Sequence, residues 1–218
     1  MTLKQKETGC ADLRSVLRWP LAVDVATVPC YRKSMNTPQI SLQLLFFLTL
    51  TARAGEFPDT WTWDRDSQGR SQHAALEGKP MPGLEVEGWV NGNVSAADMK
   101  GKVVIVDFYA TWCGPCMAAI PHNNELLKKY KSQGLVIIGV CTSKSGQDKM
   151  EQTVKDRGIQ YPTVRDPNLK SQDAWRVHYY PTYAIVDRKG IVRVIGLQPD
   201  HVEEVVKKLL AETPAQAS

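Results

Sequence analysis

The stretch that decides the fold is residues 103–116, which read VVIVDFYATWCGPC. Its first seven residues form a short and nearly continuous apolar run, which is typical of a strand buried on both faces of a parallel or mixed sheet. Helical composition follows from about residue 115 to residue 131, and a second apolar run covers residues 135–140. The pattern predicts a strand, a helix and a second strand, with two cysteines where the helix begins.

Cys113 and Cys116 are separated by two residues, a spacing that lets their thiols close a short disulfide. Because Cys113 stands at the positive end of the helix dipole, its thiolate is stabilised. A structural zinc site would need two further ligands at a similar spacing, so the pair indicates redox chemistry rather than zinc binding. A purely structural disulfide is the alternative interpretation.

Further elements surround this unit and complete an α/β pattern. A β pattern over residues 84–90 ends at Asn91-Gly92, a strong turn signal that predicts an N-terminal β-hairpin. The last helix has one apolar stripe, and Asp200 with Glu203 resembles a capping-box start. The remaining predicted elements are a helix over 147–157 stopped by Gly158, a short helix over 171–177, and a hairpin of strands 183–186 and 191–195. The predicted fold class is α/β, a central mixed sheet flanked by helices.

The charge distribution argues against nucleic-acid binding. The whole chain of 218 residues has a formal net charge of +4, but residues 1–54 hold seven basic and three acidic residues. Residues 55–218 are therefore neutral, with 20 of each sign. A domain without net positive charge lacks the electrostatic footprint of a nucleic-acid partner.

Residues 1–54 are predicted to be a leader. An apolar run over residues 40–50 is followed by Ala52-Arg53-Ala54, which predicts a secretory signal peptide cleaved after Ala54. Met35 is a better start for such a signal, so residues 1–34 are interpreted as an over-extended translation start. The protein is expected to be exported, either periplasmic or secreted, or tethered to the membrane if the leader stays uncleaved.

The rest of the chain divides into three parts. Residues 55–79 are polar and predicted to be a linker or arm, although Trp61 and Trp63 favour some contact with the domain. Residues 80–212 are the predicted domain, and residues 213–218 are a C-terminal tail.

Residues 106–116, which read VDFYATWCGPC, resemble the active-site strand and turn of the thioredoxin superfamily almost residue for residue. Within that superfamily, residues 84–102, 158–162 and 180–190 look like the TlpA/ResA-like branch of exported thiol-disulfide oxidoreductases. The likeness covers roughly residues 78–211 and implies a thioredoxin-like fold.

The resemblance also implies roles for individual residues. Cys113 matches the nucleophilic cysteine and Cys116 the resolving one, so the pair is a redox-active disulfide. Pro181 matches the cis-proline that lies against the disulfide and presents backbone groups to the substrate. Asp107 matches the buried acid that helps to move the proton of the resolving thiol. Trp112 is expected at the rim of the substrate groove, with Tyr180, and Tyr179 beside it, as the opposite wall.

Two departures from the branch concern proton handling. Ala119 stands where the branch usually has a glutamate, and Asp107 stands where it commonly has an asparagine. We expect Asp107 to take the role that the glutamate would have had. Gly114-Pro115 between the cysteines resembles thioredoxin and implies a reduction potential nearer about −270 mV than −120 mV.

The predicted function is an exported thiol-disulfide oxidoreductase that reduces disulfides in other proteins, apocytochrome c among the candidates. The expected partners are protein disulfides or dithiols and a membrane electron donor. No cofactor, metal ion or nucleic acid is expected, and the protein is expected to be a monomer. One alternative is a peroxiredoxin-like thiol peroxidase, which needs a Thr or Ser where this chain has Ala110. The other is a Cu(I) metallochaperone that uses the same two cysteines. Cys141 is predicted to be an inert core thiol, and His122 and His178 surface or packing residues.

Overall fold

The computed structural model describes residues 56–64 and 67–212. The predicted leader and C-terminal tail lie outside the described residues. Within them, the strands are β1 (Glu87–Val90), β2 (Val103–Tyr109), β3 (Leu135–Cys141), β4 (Thr163–Arg165), β5 (Thr182–Val186) and β6 (Val192–Leu197). The helices are α1 (Ser67–Ala74), α2 (Ala96–Met99), α3 (Gly114–Tyr130), α4 (Met150–Arg157), α5 (Lys170–Ala174) and α6 (Pro199–Ala211). No helix among these residues is long and apolar enough to cross a bilayer.

The six strands form one mixed sheet in the order β1-β4-β3-β2-β5-β6. Strand β2 pairs parallel with β3 and antiparallel with β5, and β3 pairs parallel with β4. All seven residues of β2 are buried, because α3 and α6 cover one face of the sheet. Trp175, Val177 and apolar side chains from the segments before β1 and around α2 pack against the other face. The predicted α/β class with a central mixed sheet is confirmed, and so is the strand, helix, strand order around the cysteines.

The predicted N-terminal β-hairpin is wrong. Asn91 and Gly92 do adopt positive φ angles of 62° and 110°, as a tight turn requires. The chain then enters α2 instead of a returning strand, because Ser95 and Asp98 form a reciprocal capping box. Strand β1 therefore pairs antiparallel with β4, at the edge of the main sheet.

The start of α6 also differs from its prediction. Pro199 occupies the first turn, and the N-cap residue Gln198 makes no side-chain capping bond. Glu203 accepts hydrogen bonds from Lys129 Nζ at 2.8 Å and from Tyr130 Oη at 2.7 Å, so it links α6 to α3. The predicted capping box is wrong because the helix begins at Pro199, so Asp200 lies inside its first turn and is not the N-cap residue.

Residues 56–64 and 67–79, which we name the N-terminal arm, pack along β6. The backbone N–H groups of Trp63 and Gly78 donate to the carbonyls of Gly196 and Val192, at 2.9 and 2.8 Å. The Trp61 ring stacks on another element, the His201 imidazole of α6, at 4.5 Å between centroids. The sequence predicts a linker or loosely attached arm here, but the described residues of this segment cover β6, the strand at the edge of the sheet.

Arg193 ties the arm to the rest of the domain. Its side chain is 5% exposed, and its guanidinium binds Asp187 Oδ2 at 3.3 Å, Glu212 Oε2 at 2.8 Å and the carboxylate of Glu56. The three carboxylates come from the arm, from the turn after β5 and from the residue after α6. One buried cation therefore joins both ends of the described chain.

Candidate active site

The cysteine pair lies at the start of α3, in the turn that follows the fully buried strand β2. Cys113 is the N-cap residue of α3 and is disulfide-bonded to Cys116. The Cys113 Sγ also accepts a hydrogen bond from the backbone N–H of Cys116 at 3.2 Å. A sulfur in this position receives the free N–H groups and the positive dipole end of the helix, which stabilise a thiolate after reduction.

Asp107 of β2 is buried beside the same helix. Its Oδ2 accepts a hydrogen bond from Asn123 Nδ2 at 3.0 Å and one from Tyr161 Oη at 3.4 Å. Asn123 Nδ2 also donates to Tyr183 Oη at 2.9 Å. The second carboxylate oxygen, Oδ1, is buried and has no hydrogen-bond partner among the described residues. Half of this carboxyl group is therefore free to exchange a proton.

The environment of Asp107 changes its proton affinity. Burial disfavours the charged carboxylate and raises the pKa of Asp107 from 3.8 to about 7, against the opposing effect of the hydrogen bonds from Tyr161 and Asn123. A carboxyl group that titrates near neutral pH can both accept and release a proton during catalysis.

A second loop brings aromatic residues to the cysteine pair. The Tyr180–Pro181 peptide bond is cis, as the resemblance implies. The Tyr180 ring meets the Trp112 ring edge to face, with 5.8 Å between centroids. The Tyr180 hydroxyl donates to Gln172 Oε1 at 2.6 Å, and this hydrogen bond holds the ring in place. Burial raises the pKa of Tyr180 to about 12, so the hydroxyl keeps its proton at neutral pH. Trp112 itself is 62% exposed.

The loop after β3 supports the active-site turn. The Thr111 hydroxyl donates to the carbonyl of Gly146 at 2.9 Å. Gly146 has a φ of +84°, and a Cβ there would lie 2.5 Å from Thr111 Oγ1, so a side chain would push the turn away. A polar pocket of about 710 Å³ opens beside this loop and is lined by Lys144, Asp148 and Arg165 among others.

The structure brings most of the predicted site residues together. The ring of Trp112, which precedes Cys113 in the chain, contacts the ring of Tyr180, which precedes the cis-proline. Asp107 is hydrogen-bonded to Asn123 of α3. Tyr179 does not join this pair of rings, because its hydroxyl donates to the carbonyl of Gly196 at 3.2 Å and its ring packs on two histidines.

Cys141 matches its prediction as a core thiol. It is fully buried at the end of β3 and forms no disulfide among the described cysteines. Burial raises the pKa of the Cys141 thiol to about 12, so it is not a thiolate at neutral pH.

Sequence reasoning missed the polar partners of Asp107. Asn123 occupies the buried stripe of α3, where its neighbours on the same face are Cys116, Ala119, Ile120, Leu126 and Tyr130. An amide on an otherwise apolar face of a helix was the available signal, because a buried polar group needs a buried partner. The partners of Asn123 are Asp107 of β2, Tyr183 of β5 and Tyr161 before β4, and these residues become neighbours only through the strand order of the sheet.

Comparison with known proteins agrees with this geometry. A family model described as the AhpC/TSA family matches residues 78–195. Thiol-disulfide oxidoreductase ResA of Bacillus thuringiensis (strain Al Hakam) is 31% identical over 135 residues, which cover 61% of this chain and 78% of that protein. Among solved structures, a thioredoxin family thiol:disulfide interchange protein from Chlorobium tepidum TLS is 29% identical with a TM-score of 0.52, covering 61% of this chain and 96% of that one.

A longer relative also matches. Protein DipZ of Mycobacterium bovis (strain ATCC BAA-935 / AF2122/97) is 35% identical over 136 residues, which cover 57% of this chain. The chain spans only 20% of the length of DipZ. The family model covers more than half of the chain and ResA is matched over more than two thirds of its own length, so the chain belongs to the AhpC/TSA family as a thioredoxin-like thiol-disulfide oxidoreductase similar to ResA.

Proposed function

We propose that this thiol-disulfide oxidoreductase acts outside the cytoplasm as a reductant of disulfides in other proteins. The observation that carries the proposal is the position of Cys113, whose sulfur caps α3 beside an exposed tryptophan and a cis-proline loop. A thiolate at a helix start is the attacking group in thiol-disulfide exchange, and a neighbouring aromatic wall offers a place for a polypeptide substrate.

The reaction has two balanced steps. The Cys113 thiolate attacks one sulfur of the substrate disulfide, and that S–S bond breaks as its electron pair leaves on the other substrate sulfur, which takes up a proton. Cys116 then gives its proton to Asp107 and attacks Cys113, and the second substrate sulfur leaves as a thiolate that is protonated in turn. The dithiol loses two electrons and two protons, and the substrate gains them.

Trapping the mixed disulfide tests the assignment of the two cysteines. The full chain carries Cys10→Ala, Cys30→Ala and Cys141→Ala, so that the pair holds the remaining two of its five cysteines. With Cys116→Ser added, a protein disulfide such as that of insulin should remain covalently attached to Cys113. Cys113→Ser is the matched control, and equal trapping by that variant would reverse the assignment.

The reduction potential tests the direction of electron flow. Equilibration of the same three-alanine protein in glutathione or dithiothreitol buffers should give about −250 mV or lower, as expected for a reductant. A value of about −120 to −180 mV is typical of oxidases and isomerases and would contradict the proposed direction.

Export is supported by the apolar run over residues 40–50 and the Ala52-Arg53-Ala54 sequence after it. A reductant on that side of a membrane needs a membrane-bound thiol donor to recharge it. N-terminal sequencing of the native protein should find Gly55 as the first residue, and a start well before Gly55 would contradict cleavage.

The described geometry of the cysteine pair supports neither alternative function. Ala110 has no hydroxyl to assist a peroxidatic cysteine, and Cys113 is paired with Cys116. Among the described residues, the one group of three or more potential metal ligands does not include either cysteine. A Cu(I) site at the pair would therefore have only its two sulfurs.

A further inference from the structure

Three side chains with metal-binding groups meet where the arm crosses the loop before the cis-proline. Asp64 and His73 belong to the arm, and their side chains are fully buried. His178 belongs to the loop and is 39% exposed. One ligand atom from each residue lies within 4.8 Å of the other two. The cluster does not include either cysteine of the redox pair.

The carbonyl of Arg176 fixes the protonation of both imidazoles. It accepts a hydrogen bond from His73 Nε2–H at 3.0 Å and one from His178 Nδ1–H at 2.8 Å. Because a carbonyl oxygen only accepts hydrogen bonds, each of these two nitrogens must carry its proton. Arg176 holds a left-handed backbone conformation with a φ of 58°, which aims its carbonyl at the two rings.

The two remaining ring nitrogens face Asp64. His73 Nδ1 lies 2.9 Å from Asp64 Oδ2, and His178 Nε2 lies 3.5 Å from Asp64 Oδ1. The Oδ1 atom is buried and has no hydrogen bond among the described residues. If both imidazoles are neutral, two nitrogen lone pairs and a carboxylate point at one another. Positive charge between these groups, either as protons or as a metal ion, stabilises this arrangement.

We propose that Asp64, His73 and His178 bind one divalent transition-metal ion of the Zn²⁺ class. Two imidazole nitrogens and one carboxylate are a donor set that Zn²⁺ accepts, and the partly exposed side of His178 leaves a fourth position open to solvent. The carbonyl of Arg176 supplies the outer hydrogen bond that metal-binding histidines nearly always make through their other ring nitrogen.

The surrounding backbone leaves space for this cluster. Gly196 of β6 has a φ of +84°, and a Cβ at that position would lie 2.8 Å from His73 Nδ1 and 3.1 Å from Asp64 Oδ2. Only glycine fits there without displacing these ligand atoms. An ion at the site would fasten the arm to the segment that continues through Tyr179 to the cis-proline, so it would act as a structural clamp.

The test uses full-length protein that has no free thiol. Cys10, Cys30 and Cys141 are replaced by Ala and the Cys113–Cys116 disulfide is kept oxidised, so sulfur cannot bind the added metal. Calorimetric titration with Zn²⁺, together with the visible absorption of added Co²⁺, should show one equivalent bound with imidazole and carboxylate ligands. Zn²⁺ should also raise the midpoint of thermal unfolding.

Two variants and one control decide the outcome. His178→Ala removes the partly exposed ligand, and Asp64→Asn keeps the shape of the buried one while removing its charge. Each should weaken Zn²⁺ binding by at least about tenfold and abolish the rise in the unfolding midpoint. His122→Ala removes another histidine and should bind as the parent does. Absence of Zn²⁺ binding in the parent, or equal affinity in His178→Ala, would show that protons alone fill the cluster and would overturn the proposal.

Discussion

Asn123 donates a hydrogen bond of 3.0 Å to Asp107, from the same face of α3 that carries Cys116. The two helix residues are seven positions apart, about 10 Å along the axis. The amide therefore anchors one oxygen of the acid, while the other oxygen has no hydrogen bond within the part of the chain that the structure describes. One oxygen of Asp107 is thus fixed by a hydrogen bond, and the other is available to a proton. The first three predictions concern this acid.

Asp107→Asn should make the oxidised protein more stable at pH 8. The folded-state pKa of Asp107 is raised from 3.8 to about 7, so between these pH values the folded protein binds more protons than the unfolded chain and its stability falls as pH rises. Above pH 7 the ionised Asp107 lowers the free energy of unfolding by its full amount, which is at most about 4 kcal/mol. Denaturant unfolding should therefore show the variant more stable at pH 8 and no such gain near pH 3.5. An equal gain at both pH values would mean that ionisation is not the cause.

The same substitution should slow thiol exchange at neutral pH. Without a carboxylate, Cys116 loses its proton acceptor, and general acid-base assistance is typically worth about 10²-fold or more. The rate of insulin disulfide reduction between pH 5 and pH 9 should lose its inflection near pH 7. An unchanged pH-rate profile would exclude Asp107 as the acceptor.

Asn123→Leu should move that inflection to higher pH. Its amide donates to the charged form of Asp107, and removal of such a donor favours the protonated acid, so the pKa of Asp107 rises further. Exchange at pH 7 should slow several-fold, and the rate lost should return as pH rises. Asn124→Ala is the matched control, because that amide donates outward to the carbonyl of Gly158. A rate that is lower at every pH would indicate that the substitution disturbs the structure instead of the pKa of Asp107.

Trp112→Ala should weaken the use of protein substrates without destabilising the fold. The indole is largely exposed and touches Tyr180 at its edge, so the free energy of unfolding should change by less than about 0.5 kcal/mol. We expect kcat/KM for a protein disulfide to fall by about tenfold, since exposed aromatic residues dominate many binding surfaces. The rate with a small aliphatic disulfide should stay near that of the parent. Equal losses for both substrates would place Trp112 in the chemistry of Cys113 rather than in substrate binding.

Arg193→Ala should destabilise the domain strongly. The change leaves the buried carboxylate of Asp187 without its cation, and loss of one partner from a buried pair typically costs about 3–5 kcal/mol. Lys170→Ala, which breaks the exposed pair with Glu85, should cost less than about 1 kcal/mol. Urea unfolding of the two variants measures the difference, and similar losses would contradict the role of Arg193 as a buried hub.

The sequence predicts the central elements well because local signals agree there. The apolar run of β2, the helix composition after Pro115 and the glycine stop at Gly158 all match the structure. The pairing of β1 with β4 depends on a contact between distant segments, and the short β4 has no strong pattern of its own. The Asp107 network and the three-residue cluster of Asp64, His73 and His178 likewise join residues far apart in the chain, so spacing alone could not reveal them.

The shared binding of Glu56 and Glu212 by Arg193 brings the first and last described residues to one corner of the molecule. A short peptide could therefore connect these two positions without crossing the fold. New termini could open at the exposed turn of Asn91 and Gly92, which links β1 to α2. A circularly permuted protein, with its present ends joined and new ends at this turn, would keep the order of all elements that carry the cysteine pair and the cis-proline loop.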